Sequence, residues 1–346
     1  MLSSTAKNLY WMGRYLQRAK STARLIEATQ RMALQSRGEE AAGVAAIFGM
    51  EDEFRQSQAQ GERLASLIDF LVLDESNPSS IVNSIGAARR NAREERNNIT
   101  VDVWESLNAL WLELSARLRG NRATLDRGAL IESVKKQAVM IFGAAQVTLL
   151  RDEANNFLQL GAFLERADNT GRILDVKFHL LRPDGNPSPE GLDYFAWSEL
   201  LACIGAVRTY RRIYRSSLHP MKVAELMMLR RDVPRSVHHC LWMVDLNMRE
   251  LADAYGTRGE ADRLAGELHA RLRYARIDKV FEIGLASFLG QLRGDIAGQN
   301  DYARLQAQFA LDTAAARAGD AGAAGRLSGL SADVLASYTG QAASSL

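Results

Sequence analysis

Apolar residues recur at spacings of three and four along almost the whole chain, the pattern of helices that bury one face. Leu9, Met12, Leu16, Ala19, Ala23 and Ile26 keep this rhythm near the N-terminus, and Leu160, Leu164, Ala167 and Leu174 keep it mid-chain. Alternation of the kind that marks half-buried strands is almost absent. The spacing predicts helices over about 4–34, 45–73, 78–96, 100–117, 127–142 and 148–181. It predicts further helices over about 192–216, 220–229, 234–255, 258–273, 279–293 and 300–315. The segment RPDGNPSPEG at 182–191 reads as a loop from its Pro, Gly and Asn content. The expected fold class is all-α.

Two strings recur. NLYWMGRYLQRAKSTARLIE at 8–27 aligns with NFLQLGAFLERADNTGRILD at 156–175. The alignment places Gly13 on Gly161, Leu16 on Leu164, Arg18 on Arg166, Ala19 on Ala167, Thr22 on Thr170 and Arg24 on Arg172. Downstream, FLVLDESNPSSIV at 70–82 aligns with LMMLRRDVPRSVH at 226–238, with Leu73 on Leu229, Pro78 on Pro234 and Ser80 on Ser236. Two matches in the same order at nearly the same offset point to an internal duplication. The expectation is two tandem, pseudo-symmetric helical-bundle halves, 1–147 and 148–316, sharing one core, with a weakly ordered Ala/Gly/Ser-rich tail at 317–346.

Composition narrows the function classes. Hydrophobic residues make up 47% of the 346, enough for a sizeable core. The net charge is +2, from 43 basic and 41 acidic residues, without the basic excess of a nucleic-acid binder. The two cysteines, Cys203 and Cys240, form neither a disulfide framework nor a Cys-x-x-Cys site, and suit a reducing compartment. The N-terminal residues lack the order of a signal peptide, and no apolar run is long enough to span a bilayer. Together these place the chain in the cytoplasm, without nucleic-acid or membrane partners.

Three motifs carry candidate chemistry. The first is Leu164-Glu165-Arg166-Ala167 with its counterpart Leu16-Gln17-Arg18-Ala19. Adjacent residues on a helix do not face one another, so Glu165 and Arg166 each need a partner on another helix. Arg18 and Arg166 read either as arginines that fix helix register or as a clamp for a carboxylate or phosphate. Gln17 stands opposite Glu165 in the alignment, so any site is asymmetric. The second motif is Asp74-Glu75-Ser76-Asn77-Pro78-Ser79-Ser80, with Asn77 as N-cap and Pro78 as first helical residue. It is a well-capped helix start, or an anion-favouring one. Its counterpart Val233-Pro234-Arg235-Ser236 adds a guanidinium. The third is Arg89, Arg93 and Arg96, which share a helix face around Ala92. They read as a solvated face balanced by Glu94 and Glu95, or as a stripe for phosphates or an acidic partner. His238-His239-Cys240 reads as ordinary packing. Neither Glu-x-x-His pairs, His-Glu-x-x-His, a Walker P-loop nor Gly-x-Ser-x-Gly occurs.

The strings at 8–27 and 70–100, WESLN at 104–108, RDEANNFLQLGAFLERADNTGRIL at 151–174 and Pro-Arg-Ser-Val at 234–237 resemble the bacterial alpha-E domain proteins. These are a predicted α-helical domain named for a Glu-Arg motif, matched here by Glu165-Arg166. The resemblance runs over about 1–310 and departs at Gln17, where many members have Glu. It implies a setting beside a circularly permuted ATP-grasp ligase, a transglutaminase-like protein and sometimes a proteasome-like peptidase. The implied role is partner or substrate-presenting subunit of that amidoligase, acting on a small peptide or amino-acid-like metabolite and not catalytic alone. ATP and Mg²⁺ belong to the ligase, and no cofactor is intrinsic to this chain. The candidate anion site draws on Arg18, Arg166, Asn77, Ser79, Ser80, Arg89, Arg93, Arg96, Arg235 and Ser236. Two other readings stay open: a stand-alone acyl or aminoacyl transferase with Glu165 as acid/base, and a purely structural helical scaffold.

Overall fold

The computed structural model describes residues 1, 3–33, 63–120, 125–181, 197–198, 200–256, 258–296 and 298. The 45–62 part of the helix expected over 45–73, the loop at 182–191, the helix at 300–315 and the tail lie outside them. Among the described residues the chain is all-helical. The helices are α1 (Ser3–Ala33), α2 (Arg63–Val72), α3 (Ile81–Glu94), α4 (Val101–Arg119), α5 (Arg127–Thr148), α6 (Glu153–Leu181), α7 (Val207–Tyr214), α8 (Pro220–Met228), α9 (Val237–Tyr255), α10 (Glu260–Tyr274) and α11 (Ile277–Ile283). Residues 200–203 and 285–296 are also helical.

The two longest helices, α1 and α6, pack against each other at the centre. On its other sides α1 meets α3 and α5, while α6 meets α9, which in turn carries α10. The residues that set the sequence rhythm form this core. Leu9, Met12, Leu16, Ala19 and Ala23 of α1, and Leu164, Ala167 and Leu174 of α6, are fully buried in one continuous apolar cluster.

A glycine sits at the crossing on each helix. A Cβ on Gly13 would lie 2.1 Å from the Leu158 carbonyl oxygen, and one on Gly161 would lie 1.9 Å from that of Tyr10. The contact is reciprocal, since each glycine presses on the backbone three residues before the other. Mid-helix glycine costs about 1 kcal/mol relative to alanine. Here it permits a backbone-to-backbone approach that no side chain would allow.

Several boundaries differ from the periodicity. Asn77 is not an N-cap, and Pro78 is not helical. α3 begins at Ile81, with the Ser80 hydroxyl accepting from the Asn83 N–H. Asn77 instead ties the preceding turn, donating to the Phe70 carbonyl and accepting from the Ser79 N–H. The closure of Ser80 N–H on Asn77 O (3.0 Å) uses these residues as a turn, which moves the cap three positions on. The same holds downstream: Ser236 N–H closes on Val233 O (2.9 Å), and the Ser236 hydroxyl caps α9 through the His239 N–H. Arg96 falls in the turn after α3, so it does not continue the face of Arg89 and Arg93. α5 extends past 142 to Thr148, and α6 starts only at Glu153, where Asp152 accepts from the Ala154 and Asn155 N–H groups. The helix expected over 192–216 stops at Gly205, and the one over 279–293 breaks at Gly284. Both glycines have positive φ, at 69° and 101°. At Gly205, the bonds Gly205 N–H to Ala202 O and Ala206 N–H to Leu201 O close a left-handed glycine cap.

Gly161→Ala forces the α1 and α6 backbones apart. We expect it to destabilise the fold by roughly 3 kcal/mol, read as a lower urea midpoint.

Candidate functional site

α1 and α6 present their repeated motifs to each other at the crossing. Arg18 donates from Nε to Glu165 Oε1 (2.7 Å) and from Nη2 to Oε2 (3.0 Å). Arg14, one turn earlier, reaches Glu165 Oε2 from Nε (2.8 Å) and Nη2 (2.7 Å). One buried carboxylate thus holds two guanidiniums. Arg166 reciprocates onto α1, donating from Nη2 (3.0 Å) and Nε (3.3 Å) to Gln17 Oε1. Each motif's arginine therefore bonds the residue that precedes the arginine in the other motif. One exchange is an ion pair, and the other ends on a neutral amide.

The two sides differ in charge as a result. Burial by itself would raise the Glu165 pKa, but the charges of Arg18 and Arg14 and their hydrogen bonds outweigh it and hold the carboxyl down to about 2. Glu165 is ionised, and it keeps Arg14 and Arg18 charged. On the Gln17 side no carboxylate among the described residues is paired with Arg166. Lys20, Arg24 and Arg235 gather there instead, and every pair among these four cations lies close enough to repel. Lys20 is 8% exposed, with its ammonium 5.0 Å from the centre of the Phe142 ring of α5. Burial, then Arg166, Arg235 and Arg24, push its pKa down to about 7. Burial, then Arg24 and Arg166, lower Arg235 to about 10.

The Gly205 cap brings two of the four together. A Cβ at 205 would lie 2.7 Å from Arg235 Nη1 and 3.1 Å from Arg24 Nη1. Arg235 donates from Nη1 to the Ile204 carbonyl (2.7 Å), and the Thr170 hydroxyl donates to the Arg235 carbonyl. Arg24 Nε is buried without a hydrogen-bond partner among the described residues. Glu27 and Glu132 face Arg24 electrostatically, yet Lys135 engages both and Lys136 also engages Glu132. Four converging cations on three structural elements, with their nearest acids already paired, suit an oxyanion.

The structure brings Arg18, Glu165, Arg166 and Arg235 to this crossing. Ser79 adjoins it through Arg18 Nη1 (3.4 Å). Asn77, Ser80 and Ser236 serve turns and caps. Arg89 and Arg96 stand over the Trp104 ring (5.7 and 4.9 Å), with Arg89 also donating to Asn108. Arg93 is exposed and pairs with Glu94. These three do not line the cation cluster. His238 and His239 fasten to the Leu229 and Arg231 carbonyls, and burial raises the Cys240 thiol to about 11. Sequence reasoning missed Arg14, Lys20 and Arg24 as site residues. A signal existed in the aligned strings, where Lys20 stands on Asp168 and Arg24 on Arg172. In the second copy those two form an ion pair, with Arg172 Nε 2.9 Å from Asp168 Oδ2. It also missed a buried Asp245–His269 pair (2.8 Å) between α9 and α10.

Among the described residues no group of three or more His, Cys, Asp or Glu is arranged to hold a metal, and no helix is long and apolar enough to cross a membrane. A family model described as a predicted alpha-helical domain with a conserved ER motif matches residues 1–303. The chain belongs to the Alpha-E family. Glu165-Arg166, paired at the crossing with Gln17-Arg18, is one of three Glu-Arg pairs in this Alpha-E chain, beside Glu62-Arg63 and Glu95-Arg96. Uncharacterised proteins from Mycobacterium bovis and Mycobacterium tuberculosis (strain H37Rv) are 22% identical over 311 residues, which covers 84% of this chain and 34% of each of theirs. The chain therefore spans about a third of the length of the curated relatives it matches. No solved structure matches it.

Glu165→Gln leaves Arg14 and Arg18 buried without a counter-charge. The expected loss is roughly 3–5 kcal/mol, measured by denaturant unfolding at pH 7. Because the folded-state pKa is depressed, Glu165's contribution to wild-type stability is present above about 4.5 and is lost as the pH falls through about 2. At Lys20 the charged form is the one penalised, so where Glu165 contributes stability this residue costs it. Its folded-state pKa of about 7 lies below the ordinary 10.5, so the unfolded chain binds the extra proton between those values. Lys20→Met is expected to stabilise the protein by a few kcal/mol at pH 6–7, with the gain vanishing toward pH 10.5 in melts run across that range.

Proposed function

We propose that this chain is a partner or substrate-presenting subunit of an ATP-grasp amidoligase that builds or modifies a small peptide or amino-acid-like metabolite. The observation that carries this reading is the Lys20–Arg24–Arg166–Arg235 cluster, four mutually repelling cations whose facing acids among the described residues, Glu27 and Glu132, are engaged by Lys135 and Lys136. A carboxylate substrate, or the acyl phosphate a ligase makes from it, supplies the missing negative charge. The ligase provides ATP and Mg²⁺, and a transglutaminase-like protein is a further partner in the same cytoplasmic setting. The lengths of the mycobacterial relatives fit this picture, because in them the similar region is joined to further polypeptide.

We also infer that the two halves, 1–147 and 148–316, descend from one unit and are related by a pseudo-twofold axis through the α1/α6 crossing. The reciprocal glycine contacts, the exchanged motif hydrogen bonds and the matching Ser80 and Ser236 caps support this. Binding and presentation fit the geometry better than acid–base catalysis by Glu165, since a carboxylate ionised and gripped by two guanidiniums has no proton to give near neutral pH.

The test is reconstitution with the neighbouring circularly permuted ATP-grasp ligase. The two proteins are expected to copurify, amide formation is expected to need both, and Arg24→Gln or Arg235→Gln is expected to cut the joint rate at least tenfold. A ligase that turns over at full rate alone overturns the proposal.

A further inference from the structure

The crossing holds two ways of satisfying cations, side by side. On one side a planar carboxylate, Glu165, answers two guanidiniums with its two oxygens. On the other, three guanidiniums and one ammonium converge from α1, α6 and the turn before α9. A single carboxylate has neither the charge nor the oxygens for four donors arriving from separate elements. A tetrahedral oxyanion has three or four oxygens pointing apart, and as a dianion it offsets more of the repulsion.

We propose that Lys20, Arg24, Arg166 and Arg235 form a receptor for a tetrahedral dianion of the phosphoryl or sulfuryl class, and that binding is coupled to uptake of one proton by the Lys20 amine. The proposal rests on the anion-site reading above and narrows it from carboxylate to phosphoryl group.

The coupling follows from what surrounds the amine. Arg24 on its own helix, Arg166 on α6 and Arg235 on the turn before α9 all oppose a charge on it, and the Phe142 ring of α5 covers it. On α9, Cys240 is a buried thiol beside Arg166 and Arg235 and is neutral, and His239, whose pKa burial lowers, faces Arg166. Glu27 and Glu132 face Arg24 and are engaged by Lys135. Among these groups the amine is therefore largely neutral at pH 8. A dianion placed among the four groups reverses the sign of the local potential and draws a proton onto the amine. No bond is made or broken apart from the N–H formed with the proton that buffer supplies. The cluster is then a sensor of charge as well as shape. A monoanion neutralises less of the three guanidiniums and leaves the amine neutral.

Titration calorimetry on the full chain at pH 8, with sodium sulfate as a dianion that does not itself titrate, separates the outcomes. Runs in Tris and in HEPES differ in heat by the number of protons exchanged with buffer. We expect sulfate to bind with close to one proton taken up, and acetate to bind at least tenfold more weakly with none. Arg24→Gln and Arg235→Gln are each expected to weaken sulfate roughly ten- to a hundredfold. Lys20→Met, its folding checked by melts, is expected to abolish the buffer dependence. Sulfate binding without proton uptake, a buffer dependence that survives Lys20→Met, or acetate binding as tightly as sulfate overturns this inference while leaving the anion site standing. Absence of binding of either ion to the folded protein removes both, whatever reconstitution with the ligase shows.

Discussion

Glu165 lies buried where α1 and α6 touch backbone to backbone, and two arginines from α1 close on it. A carboxylate in that position is costly unless its charge is answered, and two guanidiniums within 3.0 Å answer it. The glycines make the approach close enough for these bonds to form, and the bonds hold the helices at the depth the glycines allow. Since α3 and α5 pack on α1 while α9 packs on α6, the rest of the bundle is placed relative to this one contact.

The same contact divides the crossing into a satisfied side and an unsatisfied one. Both motifs offer an arginine, and each meets the residue before the other's arginine. The difference between Glu165 and Gln17 removes one negative charge from the Arg166 side. The difference between Asp168 and Lys20 adds a positive charge where the other copy has an ion pair with Arg172. The Arg235 position, filled by Ser79 in the first copy, contributes another. These three differences between aligned positions leave excess positive charge on one side of the crossing. Helix packing tolerates the excess because the surrounding core is apolar and continuous.

The helical class and the core were legible because burial follows periodicity, and the residues at three- and four-residue spacing are those with no exposure. Gly13, Gly161, Arg18 and Arg166 were legible because the two aligned strings share them, and Glu165 and Arg235 because they stand inside the aligned strings. Helix starts were harder. Asn77-Pro78 and Ser80 offer rival caps within one turn, and the choice depends on Asn77 bonding back to Phe70, a contact across the turn that spacing does not reveal. Lys20 and Arg24 were missed for a different reason. A lysine on a helix face is ordinary, and what singles this one out is the company of Arg166 and Arg235, brought from distant parts of the chain without acids to match. The three-arginine stripe misled in the opposite sense: Arg96 leaves the helix, and Trp104 occupies Arg89 and Arg96.

The glycine at the end of the helix before α7 has a wider consequence. With no side chain at Gly205, two guanidiniums from distant parts of the sequence approach this turn, one of them donating to the Ile204 carbonyl. Main chain thereby fixes Arg235 beside Arg24. Drift in the apolar interior can alter how tightly the bundle holds together while leaving the distance between these two charges almost constant.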